Sequence, residues 1–143
     1  KPVSREMLIR SALSLLNRDR SLKALVVEDH PMAAAAIQGL LVSLGCKVTT
    51  ANLGSEAIQK ALSEPVDLMM LDLQLPDMTG YQLLDSLKEA LGENMPPVVA
   101  HTGHHPSEVT ATPQGAVFWA VMQKPSTRDQ LERLLHSIRQ AQR

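Results

Sequence analysis

The sequence predicts an α/β fold in which one five-stranded parallel sheet is covered by helices on both faces. Two observations lead to this prediction. Short apolar runs alternate along the chain with longer segments of helical apolar spacing, which is the pattern of successive βα units. The 143 residues, 44% of them hydrophobic, suffice for one well-buried core and are too few for two ordinary domains. We therefore expect a single doubly wound domain.

The first βα unit is marked by the residues at its helix ends. The apolar run 24–27 predicts a buried strand, and the Ala- and Leu-rich segment 32–44 predicts the helix that follows it. Pro31 suits the first helical position, where a missing N–H costs no hydrogen bond. Gly45 suits the C-terminal cap. This unit supplies the first strand and the first crossover helix.

The second unit follows directly. The segment 47–51 is rich in β-branched residues and predicts a strand, and 55–62 predicts a helix. We expect Ser55 to cap this helix, because a serine hydroxyl at an N-cap accepts a hydrogen bond from an otherwise unpaired N–H group. Pro65 then ends the helix.

The strand of the third unit ends at an acidic residue, Asp72. The run 66–71 predicts a strand that ends at Asp72, and a turn follows over 75–80. The next helix is predicted over 81–91, where leucines recur at helical spacing. Asp72 is therefore placed between a buried strand and a Pro-containing turn.

The fourth and fifth strands also end near polar residues. The run 97–100 leads to Thr102, and the run 118–122 leads to Lys124. Between these strands, Pro106 and Pro113 leave no room for a helix of normal length. We therefore predict a short or irregular fourth helix.

Both ends of the chain are predicted to be helical. At the C-terminus, Ser126 to Asp129 fits a capping box before one apolar stripe, formed by Leu131, Leu134, Leu135 and Ile138. At the N-terminus, residues 1–20 predict an extra amphipathic helix that carries several arginines. This helix could be a linker or a contact surface. Because the chain begins at Lys1, we expect it to be part of a longer protein.

Acidic residues collect where two of the predicted strands end. Glu28 and Asp29 close the first strand, and Asp72 closes the third. The carboxyl ends of parallel strands meet at one edge of a sheet, where a ligand can bind in the crevice. Together with Thr102 and Lys124, these residues form a candidate phosphoryl site.

Four motifs in this order resemble the receiver domain of two-component signalling. They are Val26-Val27-Glu28-Asp29, the run from Leu71 to Gly80, Thr102-Gly103 and Lys124-Pro125. The resemblance is strongest to the receivers of hybrid sensor histidine kinases. It implies a flavodoxin-like (CheY-like) order of the five strands, with the site outside their carboxyl ends. The chain then divides into a linker helix at 1–20 and a receiver domain at 21–143.

The resemblance also implies a role for each polar residue at the sheet edge. Asp72 accepts a phosphoryl group from a phosphohistidine, Lys124 supplies a fixed positive charge, and the Thr102 hydroxyl contacts a phosphoryl oxygen. These residue types suit the chemistry, because phosphoryl transfer depends mainly on positioning and electrostatics. The domain would promote its own phosphorylation and dephosphorylation without being a conventional enzyme.

A magnesium ion is the expected cofactor. Mg²⁺ prefers oxygen ligands and keeps several waters, which suits a site of two or three carboxylates. Glu28, Asp29 and Asp72 are the candidate carboxylate ligands. The resemblance adds the backbone carbonyl of Gln74. In receivers, an aromatic residue that couples to the threonine usually lies three positions before the lysine. Here that residue is Val121, so the chain departs from the receiver pattern at this position.

The expected partners follow from this function. We expect a histidine kinase or a histidine-phosphotransfer domain as donor, with a homodimer as a further option. The net charge of −1 and three aromatic residues argue against direct nucleic-acid binding. The sequence contains no stretch of about 20 apolar residues, so we expect no membrane contact by this domain. We expect a cytoplasmic location, although the parent protein could be membrane-anchored and could itself be a histidine kinase.

Alternative functions remain open. The chain could be the receiver of a response regulator whose output domain is missing, or a pseudo-receiver that binds partners without phosphorylation. Each acidic residue also has a structural explanation, since Glu28-Asp29 could cap a helix and Asp72 could belong to a turn. A nucleotide or flavin carrier is disfavoured, because the first βα turn lacks the glycines that bring backbone close to a phosphate.

Overall fold

The computed structural model describes residues 21–103 and 118–142. Its strands form one parallel five-stranded sheet in the order β2-β1-β3-β4-β5, which confirms the predicted flavodoxin-like topology. The strands are β1 (Lys23–Val27), β2 (Lys47–Ala51), β3 (Leu68–Asp72), β4 (Val98–Thr102) and β5 (Ala120–Gln123). The described helices are α1 (Pro31–Ser43), α2 (Gly54–Ser63), α3 (Gly80–Leu91) and α4 (Arg128–Ala141), with one 3₁₀ turn at Gly92–Asn94.

Two apolar layers fill the space between the sheet and the helices. One layer, which includes Leu71 and Leu83, packs between the sheet and the helices α2 and α3. The other layer, which includes Met70 and Leu131, packs between the sheet and the helices α1 and α4. Side chains alternate along a strand, so consecutive residues of β3 enter opposite layers. This explains why β3 is an unbroken apolar run, as is typical of strands buried on both faces.

Most predicted boundaries are within one or two residues of those observed. Helix α1 begins at Pro31 as predicted, and its N-cap is His30, whose Nδ1 accepts a hydrogen bond from Ala33 N at 3.4 Å. Gly45 follows the helix with a φ of 93°, a conformation that favours glycine. The C-terminal stripe is buried as expected, with Leu131, Leu134, Leu135 and Ile138 all in the core.

The prediction that Ser55 caps α2 was wrong. The helix begins one residue earlier, at Gly54, and the N-cap residue Leu53 makes no side-chain hydrogen bond. The cap comes from Asp77 in the loop between β3 and α3. Its two carboxylate oxygens accept hydrogen bonds from Gly54 N at 2.8 Å and Ser55 N at 3.0 Å. A carboxylate is favoured there because N–H groups point out of a helix N-terminus.

The predicted capping box of α4 was displaced by one residue. Thr127, not Ser126, is the N-cap, and its Oγ1 accepts a hydrogen bond from Gln130 N at 3.2 Å. Gln130 Oε1 in turn accepts from Thr127 N at 2.9 Å. Both frames begin with a hydroxyl residue that is followed three positions later by a side chain able to accept a hydrogen bond. The Ser126 hydroxyl instead bonds to His101 of β4.

Some predictions concern residues outside the described ranges. These are the linker helix at 1–20 and the short or irregular helix between β4 and β5. Within the described residues, no helix is long and apolar enough to cross a membrane.

The single cysteine, Cys46, is buried and has a free thiol whose pKa is raised by burial.

Candidate functional site

Three carboxylates meet at the carboxyl edge of the sheet. Glu28 follows β1, Asp29 comes next, and Asp72 is the last residue of β3. One oxygen from each carboxylate lies within 4.8 Å of the others, a spacing that could hold a metal ion. Glu28 is buried and Asp29 is exposed, whereas Asp72 is intermediate. The cluster therefore opens to solvent on one side while its base is enclosed by protein.

Lys124 brings a positive charge to these carboxylates. Its Nζ lies 2.6 Å from Glu28 Oε2 and 3.3 Å from Asp72 Oδ2. The lysine follows β5, and its backbone N–H donates to the Thr102 carbonyl at 2.6 Å. The peptide bond from Lys124 to Pro125 is cis. The ammonium thus contacts carboxylates at the ends of β1 and β3, although the lysine itself follows the edge strand β5.

The Asp72 carboxylate is held by two donors from different directions. Its Oδ1 accepts a hydrogen bond from the backbone N–H of Gln74 at 3.1 Å, and its Oδ2 faces Lys124. Gly80 lies behind it, at the start of α3. A Cβ at this glycine would lie 2.8 Å from the Asp72 carbonyl oxygen and 2.8 Å from Leu73 Cα. Glycine is therefore needed for the helix to begin so close to the end of β3.

The charges in this cluster do not balance. Burial and the nearby negative charge of Asp72 raise the pKa of Glu28, despite the hydrogen bond from Lys124. For Lys124, burial opposes the charged form, but the bond to Glu28 and the charge of Asp72 outweigh it and the pKa is raised. Three carboxylates against one ammonium leave an excess of negative charge. A divalent cation would neutralise that excess, so the residues present fit a metal site.

The predicted site residues line one open cleft of about 950 Å³, which has room for a hydrated cation and a phosphoryl group. The cleft is lined by Glu28, Asp29, Asp72, Gln74, Thr102 and Lys124, among others. Thr102 is the last residue of β4 and is 2% exposed. Every side chain that the sequence pointed to is therefore at the same edge of the sheet.

The predicted departure from the receiver pattern is visible in the packing. Val121 is half-buried against the layer under α2 and α3. Phe118 is buried, and its ring contacts Tyr81 at a centroid distance of 5.7 Å and a tilt of 55°. Trp119, one residue before the edge strand β5, is 43% exposed. The aromatic rings before β5 are thus placed differently from the single ring expected at position 121.

One buried polar residue beside the site was missed in the sequence. His101 is 5% exposed and lies opposite Asp72 in the register of β4 with β3. Its Nε2 lies 2.7 Å from Ser126 Oγ. Burial, together with the charge of Lys124, lowers the pKa of His101 to about 4, although Asp72 opposes this. The available signal was a histidine that directly follows the apolar run Val98 to Ala100 within the same predicted strand.

Comparisons with known proteins identify relatives along most of the chain. A family model described as "Response regulator receiver domain" matches residues 24–136. The cell cycle response regulator CtrA of Brucella ovis is 32% identical over 117 residues, which cover 82% of this chain and 50% of that protein. The sensor histidine kinase GacS of Pseudomonas protegens is 35% identical over 88 residues, covering 59% of this chain and 10% of GacS. The chain thus spans half or less of these relatives.

Solved receiver structures have the same fold. A receiver domain (CheY-like) from Methylobacillus flagellatus superposes with a TM-score of 0.77 at 28% identity, covering 83% of this chain and 99% of that one. The receiver domain of the sensor histidine kinase PA1611 from Pseudomonas aeruginosa PAO1 gives a TM-score of 0.76 at 26% identity, with coverages of 85% and 99%. That structure is described as having a magnesium ion coordinated in its active site cleft.

Proposed function

The chain belongs to the response regulator receiver domain family, and we propose that it accepts a phosphoryl group from a phosphohistidine onto Asp72 with the help of Mg²⁺. It is a receiver domain of two-component signalling, so the donor would be a histidine kinase or a histidine-phosphotransfer domain. The residues that carry out the transfer are those gathered in the cleft at the carboxyl edge of the sheet.

One observation supports this proposal above the others. The Lys124 ammonium lies within hydrogen-bonding distance of both Asp72 and Glu28, in a cleft that also contains Asp29 and Thr102. A purely structural salt bridge would need only one carboxylate beside Lys124. A helix-capping role for the acidic residues would need no lysine at all. The excess of negative charge suits a divalent cation, and that cation together with Lys124 would offset the negative charge of the incoming phosphoryl group.

The chain's own residues account for the transfer. A carboxylate oxygen of Asp72 forms a bond to phosphorus while the bond from phosphorus to the donor imidazole nitrogen breaks. The imidazole then takes up a proton from solvent. Gln74 N–H, which bonds to Oδ1, restrains rotation of the carboxylate. Lys124 offers its charge to the phosphoryl oxygens, and the Thr102 hydroxyl offers a hydrogen bond.

The metal would be held by oxygen ligands. Glu28, Asp29 and Asp72 are the side chains placed to bind it, and the Gln74 carbonyl is the further ligand that the receiver resemblance implies. When bound, Mg²⁺ supplies positive charge that neutralises the phosphoryl oxygens during transfer.

The proposal is tested by direct phosphorylation. The domain is incubated with Mg²⁺ and acetyl phosphate or a phosphoramidate, and its intact mass is measured. We expect a gain of one phosphoryl group that survives acid and is lost in base, as acyl phosphates are. Asp72→Asn should abolish the gain, whereas Asp85→Asn, on the exposed face of α3, should not. No adduct on the native chain, or an adduct on Asp72→Asn, would show that Asp72 is not the acceptor.

For the parent protein, we propose a hybrid sensor histidine kinase. The observations that favour it are the 35% identity to GacS and the structural similarity to the PA1611 receiver. A response regulator is the second candidate, favoured by the longer alignment with CtrA. The coding sequence on both sides of the chain distinguishes them, because a kinase core before the receiver and an output domain after it have different motifs.

A further inference from the structure

A buried polar pair lies beside the proposed site and has no role in the transfer described above. His101 and Ser126 are 5% and 9% exposed, and His101 Nε2 lies 2.7 Å from Ser126 Oγ. The α4 helix does not need this serine, because Thr127 provides its N-cap. The Ser126 hydroxyl therefore bonds to His101 of β4 and takes no part in capping the helix.

The pair connects the centre of the sheet to the segment that carries Lys124. Asp72, His101 and Met122 lie side by side in the registers of β3, β4 and β5. By the alternation of strand side chains, these residues point to the face covered by α1 and α4. From there, the imidazole reaches the turn after β5, and Ser126 lies two residues after Lys124. Through this bond, β4, which lies next to Asp72 in the sheet, holds the turn that carries Lys124.

Stability alone does not account for a polar pair at this position. The layer on this face of the sheet is apolar, since it contains Val99 and Leu131. Replacing a buried hydrogen-bonded pair by two apolar groups of similar shape is often close to neutral. What an apolar pair lacks is direction, because a hydrogen bond fixes the separation and orientation of its two groups. The bond between His101 and Ser126 therefore orients the turn as well as filling space.

We propose that His101 is a positioning residue for phosphorylation of Asp72, acting through Ser126 to hold Lys124 in place. This inference rests on the proposed function. A lysine side chain has four rotatable bonds, so its ammonium is placed accurately only when its backbone is held. The backbone bond from Lys124 to Thr102 fixes one end of the turn, and the Ser126 hydroxyl fixes the other.

The first measurement is the initial rate of phosphorylation by acetyl phosphate with Mg²⁺. We expect Ser126→Ala and His101→Leu each to lower this rate by roughly tenfold, since small displacements of a catalytic group are costly. The double variant should be no slower than either single variant, because all three lack the same bond. Circular dichroism and a thermal melt establish that each variant is folded. If His101→Leu fails to fold, Ser126→Ala alone decides the outcome.

The second measurement distinguishes positioning from a general structural effect. In a Lys124→Ala background, Ser126→Ala should cause no further loss of rate, because the group it positions is gone. An equal loss in both backgrounds would overturn the proposal, and so would a native rate in Ser126→Ala. His136→Gln and Ser137→Ala, on the exposed face of α4, are the matched controls.

Failure of this inference is separable from failure of the proposed function. If the native domain forms no adduct, then Asp72 phosphorylation itself is refuted. If the native domain is phosphorylated and the Ser126 variant reacts at the native rate, then only the positioning role is refuted.

Discussion

The Lys124 ammonium lies 2.6 Å from the Glu28 carboxylate, although 96 positions separate the two residues in the sequence. Glu28 is buried, so this bond offsets part of the cost of keeping a carboxylate away from water. The same ammonium lies 3.3 Å from Asp72. One cation therefore links the ends of the first, third and fifth strands, and the consequences of moving it can be measured.

Replacing Lys124 should slow phosphorylation strongly. We expect Lys124→Ala to lower the initial rate with acetyl phosphate by about 100-fold or more, the usual effect of removing one charged donor from a transition state. Quantitative mass spectrometry of the adduct gives the rate. Lys88→Ala removes an exposed lysine of α3 and serves as the control. A rate within twofold of native would contradict the role assigned to Lys124.

Magnesium should stabilise the folded domain. A ligand that binds only the folded state adds about 2.7 kcal/mol at 100 times its dissociation constant. We expect the thermal midpoint to rise with Mg²⁺ and to return after chelation. Asp29→Asn should remove most of this rise, because it deletes one ligand while leaving both bonds of Lys124 intact. An equal rise in Asp29→Asn would exclude Asp29 as a ligand, and Asp85→Asn controls for charge.

Acid should destabilise the domain partly through His101. Its pKa is lowered to about 4 in the folded chain, from an ordinary value of 6.5. As the pH falls, His101 is therefore protonated in the unfolded chain before it is protonated in the folded chain. The contribution of His101 to the free energy of unfolding is fully present above pH 6.5 and is lost as the pH drops toward 4. Between pH 7.5 and 5 this amounts to about 2 kcal/mol.

Urea unfolding at the two pH values measures this effect. The His101→Leu variant should lose about 2 kcal/mol less than the native chain on acidification. The raised pKa of Glu28 acts in the opposite direction but is present in both proteins, so the comparison isolates His101. Equal losses in the native chain and His101→Leu would show that this histidine titrates normally.

Two glycine-to-alanine substitutions should have opposite effects. At Gly80 the new methyl group would lie 2.8 Å from the Asp72 carbonyl, so the backbone must move at a cost of about 1–3 kcal/mol. At Gly39, inside α1, no atom outside the local backbone lies within 4 Å, and alanine should stabilise the helix by about 0.5–1 kcal/mol. Urea unfolding measures both changes. Phosphorylation should slow only in Gly80→Ala, because its backbone contact is with the acceptor residue.

The sequence predicted much of the fold because its signals are local. Apolar runs, helix-ending residues and the polar residue after each strand lie within a few positions of one another, so the strands and described helices were located within two residues. Carboxylates at the ends of parallel strands had to meet at one edge, which placed Glu28 and Asp72 together. The predictions that failed concerned hydrogen-bond partners. The capping residue of α2 is Asp77 from another loop, not the adjacent Ser55.

Local sequence patterns were enough to predict the secondary-structure elements, their parallel arrangement and the polar residues at the strand ends. They did not show which of those polar groups bond to each other, because that depends on how the folded chain packs. In the folded structure, Lys124 bonds to Glu28, His101 bonds to Ser126, and Asp77 caps α2. The physical reason is that backbone preferences and side-chain periodicity act over a few residues. A buried polar group, in contrast, takes its partner from whatever strand or loop the folded sheet places next to it.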